Sequence, residues 1–102
     1  MRKRISKEEA GRILQDCEQD KVFWAKNGVT IKNLDELHIA LKMMDEDSYK
    51  YHVNSERNDF VNWLRDVVND DFLAKEMLKA RNRESAIKKV SERLNTLSGM
   101  LK

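Results

Sequence analysis

Apolar side chains recur every three or four residues along most of this chain, which is the spacing of one face of an α-helix. The first such segment opens with "SKEE", in which Ser6 and Glu9 form a capping box at a helix N-terminus. The sequence therefore predicts a first helix from Ser6 to about Glu18. Its apolar face is expected to consist of Ala10, Ile13, Leu14 and Cys17.

A different pattern follows in "VFWAKNGVTIKN", where two short runs rich in β-branched and aromatic residues flank Asn27 and Gly28. Both residues tolerate the positive φ that a two-residue type I′ turn requires, so the sequence predicts a β-hairpin over Val22–Lys32. Because two strands alone are only marginally stable in water, one face of the hairpin is expected to pack on helices. The candidates for that face are Phe23 or Trp24 and Val29 or Ile31.

A second helix is predicted after Asn33, which is followed three residues later by a glutamate, and it is expected to end near Asp45. His38 lies beside the apolar stripe of this helix and is interpreted as a partly buried side chain rather than a metal ligand. A short helix through "YKYHV" is predicted next, capped by Asp47 or Ser48. The apolar stripe of the second helix consists of Leu34, Leu37, Leu41 and Met44.

The stretch "HVNSERNDFVNWLRDV" concentrates polar groups ahead of apolar residues spaced i, i+3, i+4, i+7. This spacing predicts an amphipathic helix from about Asn58, with its inner face formed by Phe60, Trp63, Leu64 and Val67. The polar residues are expected to close the preceding turn and to satisfy free amides at the helix start. We interpret the stretch as the structural signature of the fold, carried by His52, Asn54, Asn58, Asp59, Phe60 and Trp63.

Two more helices are predicted towards the end of the sequence. Asp70 or Asp71 can cap the first of them, with Phe72 or Leu73, Met77 and Leu78 facing inward. The second follows a break between Asn82 and Ser85, and its apolar residues have heptad spacing. Packing of this seam within the same domain is the favoured interpretation, and a weak homodimer is the alternative. The seam consists of Ile87, Val90, Leu94, Leu97 and Leu101, of which the first four would form the homodimer contact.

These elements predict a mainly α (α+β) fold, a compact bundle of about five helices with one small hairpin. With 102 residues, 40% hydrophobic, the chain can form one domain over residues 1–102 with a modest core. The 20 basic and 18 acidic residues nearly balance, which favours folding over disorder. Residues 1–6 form a basic N-terminal arm, for which disorder is one alternative, and residues 83–102 form a basic C-terminal helix.

Charge is unevenly distributed, because both ends are basic and residues 8–74 carry fifteen acidic against eight basic groups. Basic ends could contact a nucleic-acid backbone. Solvated helix faces, and attraction between the basic last helix and the acidic middle, are the simpler interpretation. The candidate nucleic-acid contacts are Arg2, Lys3, Arg4, Lys79, Arg81, Arg83, Lys88 and Lys89.

The sequence contains no phosphate-binding loop, dinucleotide fingerprint, nucleophile elbow or metalloprotease motif. An EF-hand is rejected because Lys50 occupies the position where the loop needs glycine. His52 and Asp59 could act as an acid–base pair at a cleft, but a structural hydrogen-bond network is the favoured interpretation. We therefore expect no catalytic residues, no cofactor and no metal.

The single cysteine, Cys17, is expected to be a small core residue, since it cannot form an internal disulfide. No apolar stretch is long enough to cross a membrane, and no apolar segment follows the basic start as it would in a signal peptide. A reducing cytoplasmic setting is the resulting expectation.

The segments "FWAKNGVTIKNLDELHIAL", "MMDEDSYKYHVNSERNDFVNWL" and "DVVNDDFLAKEM" occur in this order over roughly Val22–Met77. In these segments the chain resembles an uncharacterised small helical domain, a domain-of-unknown-function family that recurs in archaeal and some bacterial proteins. The resemblance implies a fold and carries no activity or catalytic residue.

Two classes of function remain after these exclusions. The favoured one is a non-enzymatic protein-interaction or scaffold module, which binds another protein through an apolar helix face or the hairpin edge. The alternative is a nucleic-acid-binding protein that uses the basic N-terminal arm and the C-terminal helices.

Overall fold

A computed structural model describes residues 5–101 of the chain. The described residues form six α-helices and one antiparallel two-stranded hairpin, which confirms the predicted mainly α fold. The helices are α1 Lys7–Leu14, α2 Leu34–Met43, α3 Glu46–His52, α4 Asp59–Trp63, α5 Asp71–Leu78 and α6 Arg83–Met100, and the strands are β1 Phe23–Trp24 and β2 Thr30–Ile31. A 3-10 turn at Gln19–Lys21 precedes β1, and a π-helical turn at Leu64–Val68 extends α4.

Every one of these six helices begins at a side chain that accepts a hydrogen bond from the amide three residues later. Such caps satisfy amide hydrogens that have no partner inside the helix. The predictions for Ser6, Asn33 and Asp70 are confirmed, whereas the prediction of Asp47 or Ser48 at the start of α3 is wrong. The six caps are Ser6, Asn33, Asp45, Asn58, Asp70 and Asn82.

The hairpin pairs Phe23 with Ile31, and Trp24 with Thr30. The Ala25 carbonyl accepts the Gly28 amide, and among the loop residues only Gly28 has positive φ, at 90°. This is a three-residue loop ending in a left-handed glycine, so the predicted two-residue type I′ turn is wrong. The inner face contains Phe23 and Ile31, while Trp24 stays 71% exposed.

The core lies between α6 and the helices that pack on it, α1, α2 and α5. Val90, Leu94 and Leu97 of the heptad seam are buried against the rest of the chain, as the intramolecular interpretation expects. Ile87 is half-buried, and Leu101 is exposed. The seam is therefore occupied by the domain's own core.

The π-helical turn determines which of the two valines after α4 is buried in the core. One extra residue per turn shifts the helix face, so Val68 is buried where the regular spacing predicted Val67, which is only half-buried. The turn closes at Asn69, whose φ of 61° is left-handed, a conformation that asparagine tolerates. This closure directs the chain into the cap of α5.

Within residues 5–101, no helix combines the length and the apolar character that crossing a bilayer requires.

Candidate functional site

An open groove of about 820 Å³ lies between α1, α5 and α6. Its α6 wall runs from Lys89 to Met100, which corresponds to about 17 Å of helix at 1.5 Å per residue. Four apolar side chains contribute to the lining, of which Ile13 is buried and Phe72 is 42% exposed. The four are Ile5, Ile13, Phe72 and Met100.

A buried ion pair fixes the geometry of this groove. Two oxygens of Asp70 accept hydrogen bonds of 2.8 and 2.9 Å from the Arg93 guanidinium on α6. Asp70 also accepts the Leu73 amide, so one carboxylate caps α5 and joins it to α6. The guanidinium carbon of Arg93 lies 4.7 Å from the centroid of the Phe72 ring, a cation–π contact. The groove is therefore built on a junction of two helices that the buried ion pair joins.

Among the described residues, the charges that line the groove do not cancel. Lys89 pairs with Glu76 at 3.3 Å, and Arg93 is held by Asp70. Hydrogen bonds from Lys79 and then from Lys89 lower the pKa of Glu76, which keeps this carboxylate ionised. Within residues 5–101, the rest of the lining carries three carboxylates against one ammonium group, and one of the three, Glu9, pairs with Arg12 at 3.9 Å. These four groups are Glu9, Asp71, Glu92 and Lys75.

His52 and Asp59 lie together, as the sequence interpretation required. The Nδ1 atom of His52 lies 2.9 Å from Oδ2 of Asp59, and its Nε2 atom lies 2.9 Å from the Lys26 amide nitrogen. An amide N–H can only donate, so Nε2 holds the lone pair and Nδ1 donates its proton to Asp59. Since the lone pair is occupied by backbone, the imidazole has no free atom with which to take a proton from a substrate. The geometry is that of a structural network.

The remaining signature residues also serve the structure. Asn54 accepts the Glu56 amide and closes the turn after α3, and Asn58 caps α4. Phe60 is fully buried, and the Trp63 indole donates to the Lys21 carbonyl at 2.9 Å.

The basic residues of the last two helices are mostly committed to partners inside the chain. Lys79 and Lys89 both contact Glu76, and Arg83 contacts Glu46 and the Leu41 carbonyl. Within residues 5–101, Arg81 and Lys88 are exposed without such partners. Arg2, Lys3 and Arg4 lie outside the described residues. The predicted nucleic-acid contacts therefore do not form one continuous set of uncommitted cations in the described residues.

Two reactive side chains lie outside the groove. Cys17 is half-buried and unpaired, and burial raises the pKa of its thiol, which disfavours the nucleophilic thiolate. Burial likewise lowers the pKa of His38 and favours its neutral form. The described residues bring together no group of three or more histidine, cysteine, aspartate or glutamate side chains that could hold a metal ion.

The sequence alone did not reveal the groove. Its α1 wall lies about sixty residues or more before its α5 and α6 walls along the chain, and no local pattern links α1 to either of them. One available signal in the sequence was Met100, an apolar residue near the end of the chain that lies outside the heptad seam.

No family model, curated protein or solved structure matches this chain. The resemblance to a domain of unknown function over Val22–Met77 therefore stays a prediction.

Proposed function

We propose that this chain is a non-enzymatic protein-interaction module. Its groove between α1, α5 and α6 would bind a segment of a partner protein that carries both apolar and basic side chains. The observation that supports this proposal is the composition of the groove, apolar side chains beside an excess of carboxylates.

The size of the groove suits a short helix or an extended peptide. About 17 Å along α6 accommodates roughly three turns of a partner helix, or about five residues of an extended segment. Each large apolar side chain that the partner buried there would contribute about 1.5–3 kcal/mol before the cost of association. Two or three such anchors are enough for a specific but reversible contact.

Charge selects among the partners that fit. Asp71 and Glu92 are exposed and, within residues 5–101, have no cationic partner. A lysine or arginine from the partner would complement these carboxylates, whereas an acidic segment would be repelled. Complementary charges of this kind set specificity and association rate more than affinity.

Site-specific photocrosslinking in the native host tests this proposal. A photoreactive p-benzoylphenylalanine at Thr96, which lines the groove, is expected to give a discrete protein adduct. The same reagent at Ile39, which is 55% exposed on α2 and is not among the groove residues, is the positional control. Mass spectrometry of the adduct should identify a partner segment with basic and apolar side chains.

Charge reversal then separates docking from chance proximity. Glu92→Lys replaces an attraction by a repulsion, each worth up to about 1 kcal/mol at a surface, so the adduct should fall roughly five- to thirtyfold. Glu18→Lys makes the same change on an exposed loop away from the groove and should leave the adduct intact. Equal adducts at Thr96 and Ile39, or an adduct that Glu92→Lys does not reduce, would contradict the proposal.

A further inference from the structure

His52 connects three separate parts of the fold. It is the last residue of α3 and is 3% exposed. Its Nδ1 atom donates a hydrogen bond to Asp59 at the start of α4, and its Nε2 atom accepts one from the amide of Lys26 in the hairpin loop. Both ring nitrogens are therefore used by the neutral side chain.

Only one atom of this ring can bind a second proton. Nδ1 already carries a hydrogen, so the cationic imidazolium would carry the new one on Nε2, opposite the Lys26 N–H. Two donors would then face each other across 2.9 Å, and the hydrogen bond would become a repulsion. We propose that His52 is a proton-sensitive latch that holds the hairpin tip, residues 25–29, on α3 and releases it when the ring becomes cationic.

The charged groups around His52 act in opposite directions. The Asp59 carboxylate favours the imidazolium, and Arg57, 3.5 Å from the same carboxylate oxygen, opposes it. The Lys26 ammonium group lies 4.6 Å from the centroid of the Tyr51 ring, which itself contacts the imidazole edge-on, so this cation also opposes protonation. The other neighbours, Phe23 and Phe60, are uncharged aromatic rings. Release of the tip would therefore relieve the repulsion while keeping the Asp59 contact.

The release would be confined to the tip because the hairpin base is anchored independently. The Phe23 ring stacks on Phe60 with centroids 4.9 Å apart, and Ile31 is fully buried. The tip contains the left-handed Gly28, and its side chains other than Ala25 are exposed. Few buried contacts oppose its opening, which is the condition for local rather than global unfolding.

Nuclear magnetic resonance of the isotope-labelled chain can observe the latch directly. At pH 8, we expect a scalar coupling across the hydrogen bond between the Lys26 amide nitrogen and His52 Nε2, and slow exchange of the Lys26 amide proton. On acidification, the coupling should disappear in step with protonation of the His52 ring, which the ring's own nitrogen and carbon shifts report. As the pH falls towards the midpoint of this change, protection of the Lys26 amide should fall by up to about tenfold per pH unit, because opening is coupled to uptake of one proton.

Two variants control this experiment. In His52→Gln the side-chain carbonyl reaches the position of Nε2 and accepts the Lys26 amide without titrating, so protection should become independent of pH. His38→Gln removes the other histidine of the chain and should leave the transition unchanged.

Three results would overturn the latch. The first is a Lys26 amide that stays protected after the His52 ring is protonated. The second is a ring that stays neutral until the whole domain unfolds, and the third is the same acid-induced loss of protection in His52→Gln. None of these outcomes involves the groove, so the latch and the proposed function are tested independently of each other.

Discussion

Removing the Asp70 side chain tests the junction on which the groove is built. Asp70 is 1% exposed, and the side chain of its partner Arg93 is 10% exposed. Asp70→Asn removes the charge but keeps an oxygen that can cap α5, and it leaves a nearly buried guanidinium without its carboxylate. Breaking a buried pair in this way costs about 3–5 kcal/mol. Asp70→Ala also removes the cap, which adds about 1 kcal/mol.

These losses are large for a domain of this size. A chain of 102 residues has a free energy of unfolding of about 5–15 kcal/mol. A loss of about 3 kcal/mol from Asp70→Asn should lower the melting temperature by roughly 12–24 °C. Asp66→Asn is the matched control, since its pair with Arg65 is more than half exposed on both sides and should contribute about 0.5 kcal/mol or less.

Urea unfolding followed by tryptophan fluorescence measures these differences. Trp63 is 6% exposed and should report the loss of the core, whereas Trp24, at 71% exposed, should change little and can be replaced in a Trp24→Phe background. If Asp70→Asn were as stable as the unaltered chain and Asp70→Ala lost only about 1 kcal/mol, Asp70 would act as a cap alone. That result would refute the energetic account of the ion pair.

Three further predictions follow from other parts of the structure. The pKa of Glu76 is lowered in the folded state, so its contribution to stability is complete above about pH 4.5 and is lost as the pH falls through the folded pKa. Glu76→Gln should therefore destabilise the chain at pH 7 and have no effect once the carboxylate is protonated, and urea unfolding at several pH values measures both. Gly28→Ala should cost about 1 kcal/mol from backbone strain alone, since an added Cβ meets no atom within 4 Å; a calorimetric scan matching the unaltered chain would contradict this. In a low-salt gel-shift titration, duplex DNA and structured RNA should not shift at tens of micromolar protein, because Lys79, Arg83 and Lys89 already have carboxylate partners; a shift that weakens steeply with salt would favour the nucleic-acid alternative.

Local rules account for the parts of the fold that the sequence predicted. A cap involves a side chain and an amide three residues later, so Ser6, Asn33 and Asp70 can be recognised from neighbours alone. At the start of α3, three residues suitable as caps stand within four positions, and the local rule did not select Asp45. Asp45 is the residue with extended backbone directly before the first residue of α3, which is the conformation that a cap requires.

The contacts that local rules could not predict are between distant segments. The choice between Phe72 and Leu73 as the inward residue depends on where α6 lies, and Leu73 is the one that is fully buried. His52 accepts a hydrogen bond from the backbone amide of Lys26, which is 26 residues away. Every residue except proline has such an amide, so the residue types do not predict this contact. The groove has the same origin, so the sequence predicted the helices but not the surface between them.

The central position of α6 also has a consequence for synthesis of the chain on the ribosome. The helices α1, α2 and α5 all pack on α6, yet α6 is the last of these elements to be translated. The earlier helices have five to ten residues, too few to persist in water without tertiary packing. The parts of α1, α2 and α5 that pack on α6 therefore stay exposed until α6 leaves the exit tunnel. At about 5–20 residues per second, that delay lasts several seconds, during which a nascent-chain chaperone has its longest opportunity to bind.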